Sequence, residues 1–217
     1  MKRILVAGPK GGSGKTTLTR NLAVAAAFDR LKVATADLDP QATLTIWNRR
    51  RPETEKPIAH YKVAWAEADA LLDDTEMPDI DVLLIDTPPS IETQAVAFVR
   101  LVNAADFILV PCRPTFDDAE SAAPFLKHLR DQRKKSAIAL TFVKPRVNVS
   151  AVKGYLLEFG DICPVEIADR TDYARAGAKG LGLMDIPNHI GGDEVKGVWT
   201  YMKHQVWRKA RVTAKTR

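Results

Sequence analysis

The sequence predicts an α/β fold: a doubly wound, mainly parallel sheet with helices on both faces. Three observations carry that prediction. Short runs rich in Val, Ile and Leu alternate with longer segments of helical period, the rhythm of β-α-β units. The runs are apolar throughout rather than alternating, as strands covered on both faces require. The first run leads through a glycine-rich loop straight into a helical pattern, which makes a strand–loop–helix unit.

Taken in order, the first strand is "RILVA" at 3–7 and the loop "GPKGGSGKTT" fills 8–17. Leu18, Leu22, Ala25 and Ala26 then recur at helical spacing, and Lys32 and Val33 restart a strand in "KVATAD". The polar stretch "NRRRPETEKP" at 48–57, with two prolines, reads as a surface excursion. "VLLID", "FILVP" and "AIALTFV" supply the remaining strands. Near the end Val195, Val198, Trp199, Met202, Val206 and Ala210 mark a helix, whose stripe reads as core, with a membrane anchor as the rarer alternative. No internal repeat or low-complexity tract interrupts the pattern. A single domain over 1–217, ending in a basic helix and tail at about 192–217, is expected.

Composition narrows the class. With 46% apolar and 27% charged residues the chain has the make-up of a soluble globular protein. The start, "MKRILVAGPKGG", turns to glycine loop after a short apolar run and fits neither a signal peptide nor a membrane span. Cys112 and Cys163 form no C-x-x-C pair, which argues against a disulfide scaffold or zinc ribbon and for a reducing cytoplasm. The formal net charge is +5, yet seven basic and no acidic residues lie between Val195 and Arg217, leaving the preceding chain at about −2. Basic charge is therefore concentrated at the end, where Lys203, Arg208, Lys209 and Arg211 are the candidate contacts to DNA phosphates.

The loop fits G-x-x-x-x-G-K-[ST], between strand and helix. Gly11, Gly12, Ser13, Gly14, Lys15, Thr16 and Thr17 would cradle a nucleotide's phosphates, because glycines let successive N–H groups converge and a helix N-terminus adds its dipole. Lys15 would reach the outer phosphates and Thr16 would offer a hydroxyl to Mg²⁺. Asp86 closes an apolar central strand and suits the metal's water shell; Asp39 follows the neighbouring strand and suits orientation of an attacking water. Asp37 has two readings, a turn-capping aspartate or a group at the metal.

A second lysine, Lys10, stands in the same loop. With "KGGSGKTT", "DLDPQATLTIW", "VLLIDTPPS", "LVPCRP" and "LTFVKPR" in this order, the chain resembles the ParA/MinD-type ATPases with a deviant Walker A loop, a SIMIBI-type branch of the P-loop NTPases, over about residues 2–180. It is most similar to short plasmid-partition ParA proteins that lack an N-terminal helix-turn-helix domain. The resemblance implies ATP and Mg²⁺ as cofactors, a homodimer in the ATP state, and a catalytic set of Lys10, Lys15 and Asp39. In it Lys10 reaches across the dimer to the partner's ATP. It also implies adenine-side roles for Pro111, Pro114, Thr141 and Arg146. Arg113 departs from the glutamine of many relatives, and Asp117-Asp118 replaces apolar residues there.

The expected function is a partition ATPase that binds double-stranded DNA nonspecifically, associates with the nucleoid in the cytoplasm, and is released when a ParB-like activator stimulates hydrolysis. The alternative is a MinD-like membrane-associated or protein-cargo positioning ATPase, since basic charge suits DNA and anionic lipid alike. Metabolic synthetases on this fold lack the extra lysine, and electron carriers need cluster-holding cysteine pairs.

Overall fold

The computed structural model describes residues 1–77, 79–89 and 95–207. Six strands form one sheet: β1 Lys2–Val6, β2 Val33–Asp37, β3 Ala59–Lys62, β4 Val82–Asp86, β5 Phe107–Cys112 and β6 Ser136–Leu140, in the order β3-β2-β4-β1-β5-β6. Every pairing is parallel. Seven α-helices among the described residues connect and cover them: α1 Lys15–Phe28, α2 Thr43–Arg49, α3 Ala95–Ala104, α4 Phe116–Asp131, α5 Ser150–Leu157, α6 Thr171–Ala178 and α7 Ile190–Trp207.

The sheet is buried on both faces, and its side chains divide between two cores. Ile4 and Val6 of β1, Leu84 of β4 and Leu109 of β5 pack with α1 and α7. Leu5, Leu83, Ile85, Ile108 and Val110 face the other way and pack with α3, α4 and α5. Alternate residues of one strand thus feed opposite layers, which is why the strands read as unbroken apolar runs.

The C-terminal stripe belongs to the core: Val195, Val198, Trp199, Met202 and Val206 of α7 are buried with Leu18 and Leu22 of α1. Among the described residues no helix is long and apolar enough to cross a membrane.

The structure adds two local features to the sequence reading. β3 is absent from the sequence reading, because its four residues are largely exposed at the sheet edge and carry no apolar run. It is held instead by its backbone register with β2 and by His60, whose ring nitrogens lie 2.9 Å from the hydroxyls of Thr35 and Thr45. The excursion at 48–57 lies on the surface as its polarity predicts, with no buried residue, although one side chain reaches inward. Arg51 turns inward, donates to the Gly180 carbonyl at 3.2 Å, and pairs at 2.9 Å with the carboxylate of Asp185, whose side chain is fully buried.

Candidate nucleotide site

The carboxyl ends of the strands meet along one edge, where a doubly wound sheet binds ligands. The phosphate loop runs from the end of β1 into α1. Gly12 and Gly14 have φ of +69° and +95°, and α1 begins without an acidic side chain in its first turn. Its free amides therefore face the loop with no acidic side chain of the helix itself against their positive end.

Lys15 lies within this loop and donates to the carbonyls of Gly8 at 3.2 Å and Lys10 at 3.0 Å. Burial lowers its ammonium pKa, while the charges of Asp86 and Asp39 oppose that shift. The lysine is thus held by neutral acceptors that a phosphate would displace.

Asp86 ends β4, beside Val6 of β1 and Asp37 of β2. Its carboxylate accepts from the Thr16 hydroxyl at 2.7 Å and the Thr19 hydroxyl at 3.1 Å. Complete burial pushes its pKa up to about 7, with Thr16 opposing and the nearby Asp37 charge adding to the rise. Asp37 has both oxygens engaged. One accepts from the Asp39 N–H at 3.0 Å, and the other from the Thr45 N–H at 2.9 Å and the Thr45 hydroxyl at 2.7 Å. It therefore organises the turn into α2.

Asp39 is part of a groove of about 430 Å³ lined by Gly11, Gly12, Gly14, Lys15, Thr16 and Thr17 on one side and by Pro40, Gln41, Pro89 and Phe142 on the other. One carboxylate oxygen accepts from the Gln41 N–H at 2.9 Å, and the Asp39 carbonyl accepts from the Lys62 ammonium. A second cavity, of about 470 Å³, adjoins it and is lined by Arg113, Pro114, Thr115, Phe142, Lys144, Val147 and Asp169. Phe142 is common to both, so the two cavities meet at its ring.

Of the residues placed on the adenine side, Pro114 lines this second cavity. Pro111 lies within β5, paired with Ala139 of β6. Thr141 is buried and donates to the Ser13 carbonyl at 2.8 Å, fixing the loop from beneath. Arg146, at φ +66°, is exposed and outside the lining. Phe142, Lys144, Val147 and Asp169 were not singled out; Phe142 and Lys144 sit inside the quoted "LTFVKPR", but only the fold shows which side chains reach a cavity.

Lys10 behaves unlike Lys15. Its side chain is 40% exposed and lines neither cavity, and its ammonium lies 3.6 Å from Asp118, whose side chain is 9% exposed. Asp118 also accepts from the Thr115 hydroxyl at 2.6 Å, and its other oxygen is buried without a hydrogen-bond partner. At the far end of the chain Lys203 pairs with Asp29 at 2.8 Å. Arg208, Lys209 and Arg211 lie outside the described residues.

Among the described residues no three His, Cys, Asp or Glu side chains converge as a metal cage. The Thr16 and Asp86 oxygens are hard donors that suit Mg²⁺ when phosphate oxygens and water complete its shell. Burial pushes the Cys112 and Cys163 thiols up to about 12, leaving neither as a ready thiolate.

Residues 4–183 match the CobQ/CobB/MinD/ParA nucleotide binding domain. The chain is 27% identical over 186 residues to Protein ParA of Rhizobium radiobacter, covering 80% of this chain and 81% of that protein. It is 25% identical over 193 residues to the Maintenance of carboxysome distribution protein A of Halothiobacillus neapolitanus, covering 84% and 87%. The structure of a Cyanothece McdA–ATP complex superposes with a TM-score of 0.72 at 17% identity, covering 94% of this chain and 96% of that one, a shared fold.

Proposed function

Since the chain belongs to the CobQ/CobB/MinD/ParA nucleotide-binding domain family, we propose that it is an ATPase of the ParA/MinD type that dimerises on ATP, binds DNA nonspecifically through its basic C-terminal end, and lets go on hydrolysis stimulated by a cargo-bound partner. The observation that carries this reading is the contrast between two lysines of one loop. Lys15 is turned inward on the loop carbonyls, whereas the half-exposed Lys10 lines neither of the two cavities described above and meets Asp118 instead. A cation so placed is available to a second copy, and the γ-phosphate there makes ATP, not ADP, the bridging nucleotide.

Each group then has a task. The loop amides and Lys15 would hold the β- and γ-phosphates, and Thr16 with Asp86 would hold Mg²⁺, which would supply positive charge to offset that of the phosphates. Asp39, at the groove wall, orients the attacking water, and Asp37 keeps the turn that carries Asp39 in place. Lys10 of the second copy stabilises charge at the transferred phosphoryl group, so hydrolysis requires the dimer and stays slow until an activator completes the site.

Cargo is either DNA carried by a ParB-like adaptor, supported by the likeness to Protein ParA, or a protein assembly, supported by the likeness to a carboxysome-distribution protein. Both use the same attachment to DNA. Fluorescence anisotropy with random duplex tests it: wild type binds with ATP and not with ADP, and joint replacement of Arg208, Lys209 and Arg211 by Glu removes binding while ATP-dependent dimerisation persists. Equal duplex affinity in the triple variant, or a preference of wild type for anionic liposomes over duplex, overturns the DNA reading.

A further inference from the structure

Arg113 follows β5, a long way along the chain from the phosphate loop, yet its side chain ends against that loop. A Cβ placed on Gly12 would lie 2.9 Å from Arg113 Nη2 and 3.7 Å from its Cζ. The guanidinium carbon stands 5.4 Å from the centroid of the Phe142 ring, within range of a cation–π interaction. The Phe142 ring closes in turn on Gly14, where a Cβ would come within 3.1 Å of Cε2. Ring and guanidinium together therefore form a stack laid over the two glycines of the loop.

Phe142 keeps this place at a price in backbone strain. Its φ is +54°, a left-handed conformation unfavourable for a bulky L-residue. The preceding Thr141 anchors the strained turn through its bond to the Ser13 carbonyl. Among the described residues the Arg113 guanidinium enters no ion pair. The fold thus holds a guanidinium, in no ion pair among the described residues, against a loop built to receive phosphates.

We propose that Arg113 is part of the nucleotide site as a fixed cation: Phe142 holds its guanidinium against the phosphate loop at Gly12, where it offsets the charge of bound phosphates. Gly12 has no side chain to keep the charge away, so the guanidinium rests directly against the backbone of the phosphate loop. A unit charge about 7 Å from a phosphate, at an effective dielectric of about 40 for so solvated a loop, changes affinity by roughly ten-fold. Because the interaction is with charge and not with the base, its effect rises with the number of phosphates. It differs from that of Lys10, since it is complete within one chain and needs no dimer.

The inference rests on the nucleotide-binding reading of this site, and the test separates the two. Binding of ADP, AMP and adenosine is measured by calorimetry at low and moderate salt for wild type, Arg113→Gln, Arg113→Lys and Lys15→Ala. Arg113→Gln is expected to weaken ADP roughly ten-fold, AMP less and adenosine not at all, with a smaller difference at moderate salt; Arg113→Lys keeps most of the ADP affinity. Unchanged ADP affinity in Arg113→Gln, or an equal loss for adenosine and ADP, overturns the proposal while loss of ADP binding in Lys15→Ala leaves the site itself standing. Undiminished ADP binding in Lys15→Ala removes the site and the inference together. Thermal unfolding without nucleotide should place Arg113→Gln close to wild type, which separates lost charge from lost fold.

Discussion

Replacing Asp86 by Asn should stabilise the nucleotide-free protein, and by more at high pH than at low. Asp86 is fully buried, and burial raises its pKa from 3.8 to about 7. The sign follows from proton linkage: between those values the folded state keeps a proton that the unfolded chain has lost. Stability from this group is therefore complete below about pH 4 and is lost as pH rises through about 7. With those two pKa values the ionisable carboxyl costs about 2 kcal/mol at pH 5 and about 4 kcal/mol at pH 8. Asn keeps the shape and an acceptor for the Thr16 or Thr19 hydroxyl but carries no such pH dependence. The stability difference between variant and wild type should thus widen by about 2–3 kcal/mol from pH 5 to pH 8. Urea denaturation at both pH values, in chelator and without nucleotide, measures it. A difference that stays constant or narrows refutes the argument that burial governs this carboxylate. Nucleotide binding by the variant should also lose its dependence on Mg²⁺, since the carboxylate facing the metal's shell is gone.

Lys10→Ala should bind ATP as a monomer yet fail to dimerise in light scattering, and it should lose up to about 1 kcal/mol of stability because Asp118 forfeits a half-exposed ion pair. Asp39→Ala should bind ATP and dimerise but release phosphate far more slowly than wild type; a rate equal to wild type removes Asp39 from water positioning. Gly180→Ala should destabilise the chain by about 1–3 kcal/mol without altering nucleotide affinity, since φ there is +73° and a Cβ would come within 2.3 Å of the Arg50 backbone carbon. Urea denaturation checks the last of these.

What the sequence disclosed was whatever its neighbouring residues decide. β1, β2, β4, β5 and β6 are buried by helices on both sides, so their residues must be apolar one after another and the strands are legible. The phosphate loop is equally local, because its glycines, lysine and threonine act through backbone within one strand–helix turn. β3 was hidden because an exposed edge strand takes its place from backbone pairing, with no demand on its side chains beyond His60. The strand predicted to run on through 143 stops at Leu140, and the reversal places Phe142 where both cavities meet. Nothing in "TFV" announces a left-handed phenylalanine. Asp37 stayed ambiguous for a related reason: an aspartate ending a strand suits either role until Thr45 and the Asp39 amide are seen to take its oxygens.

The two lysines show where local reading stops. Lys10 and Lys15 share one loop and one charge, and the motif alone distinguishes them only by position. Their surroundings differ because of residues far away in sequence. Lys15 faces carbonyls of its own loop, with Asp86 of β4 behind it, in a place where burial penalises an ammonium until an anion arrives. Lys10 meets Asp118 in the first turn of α4, a carboxylate with one oxygen unpartnered and little solvent around it. Leaving Lys10 free to reach a second copy strands that carboxylate, and such a loss is tolerable only if the helix N-terminus offsets part of the charge and a phosphate receives the lysine. The contact thus sets a threshold for the movement of Lys10. Asp118→Asn should lower the threshold and allow dimerisation at lower ATP concentration, measurable by light scattering across an ATP titration; an unchanged midpoint would show that Lys10 leaves Asp118 at no cost.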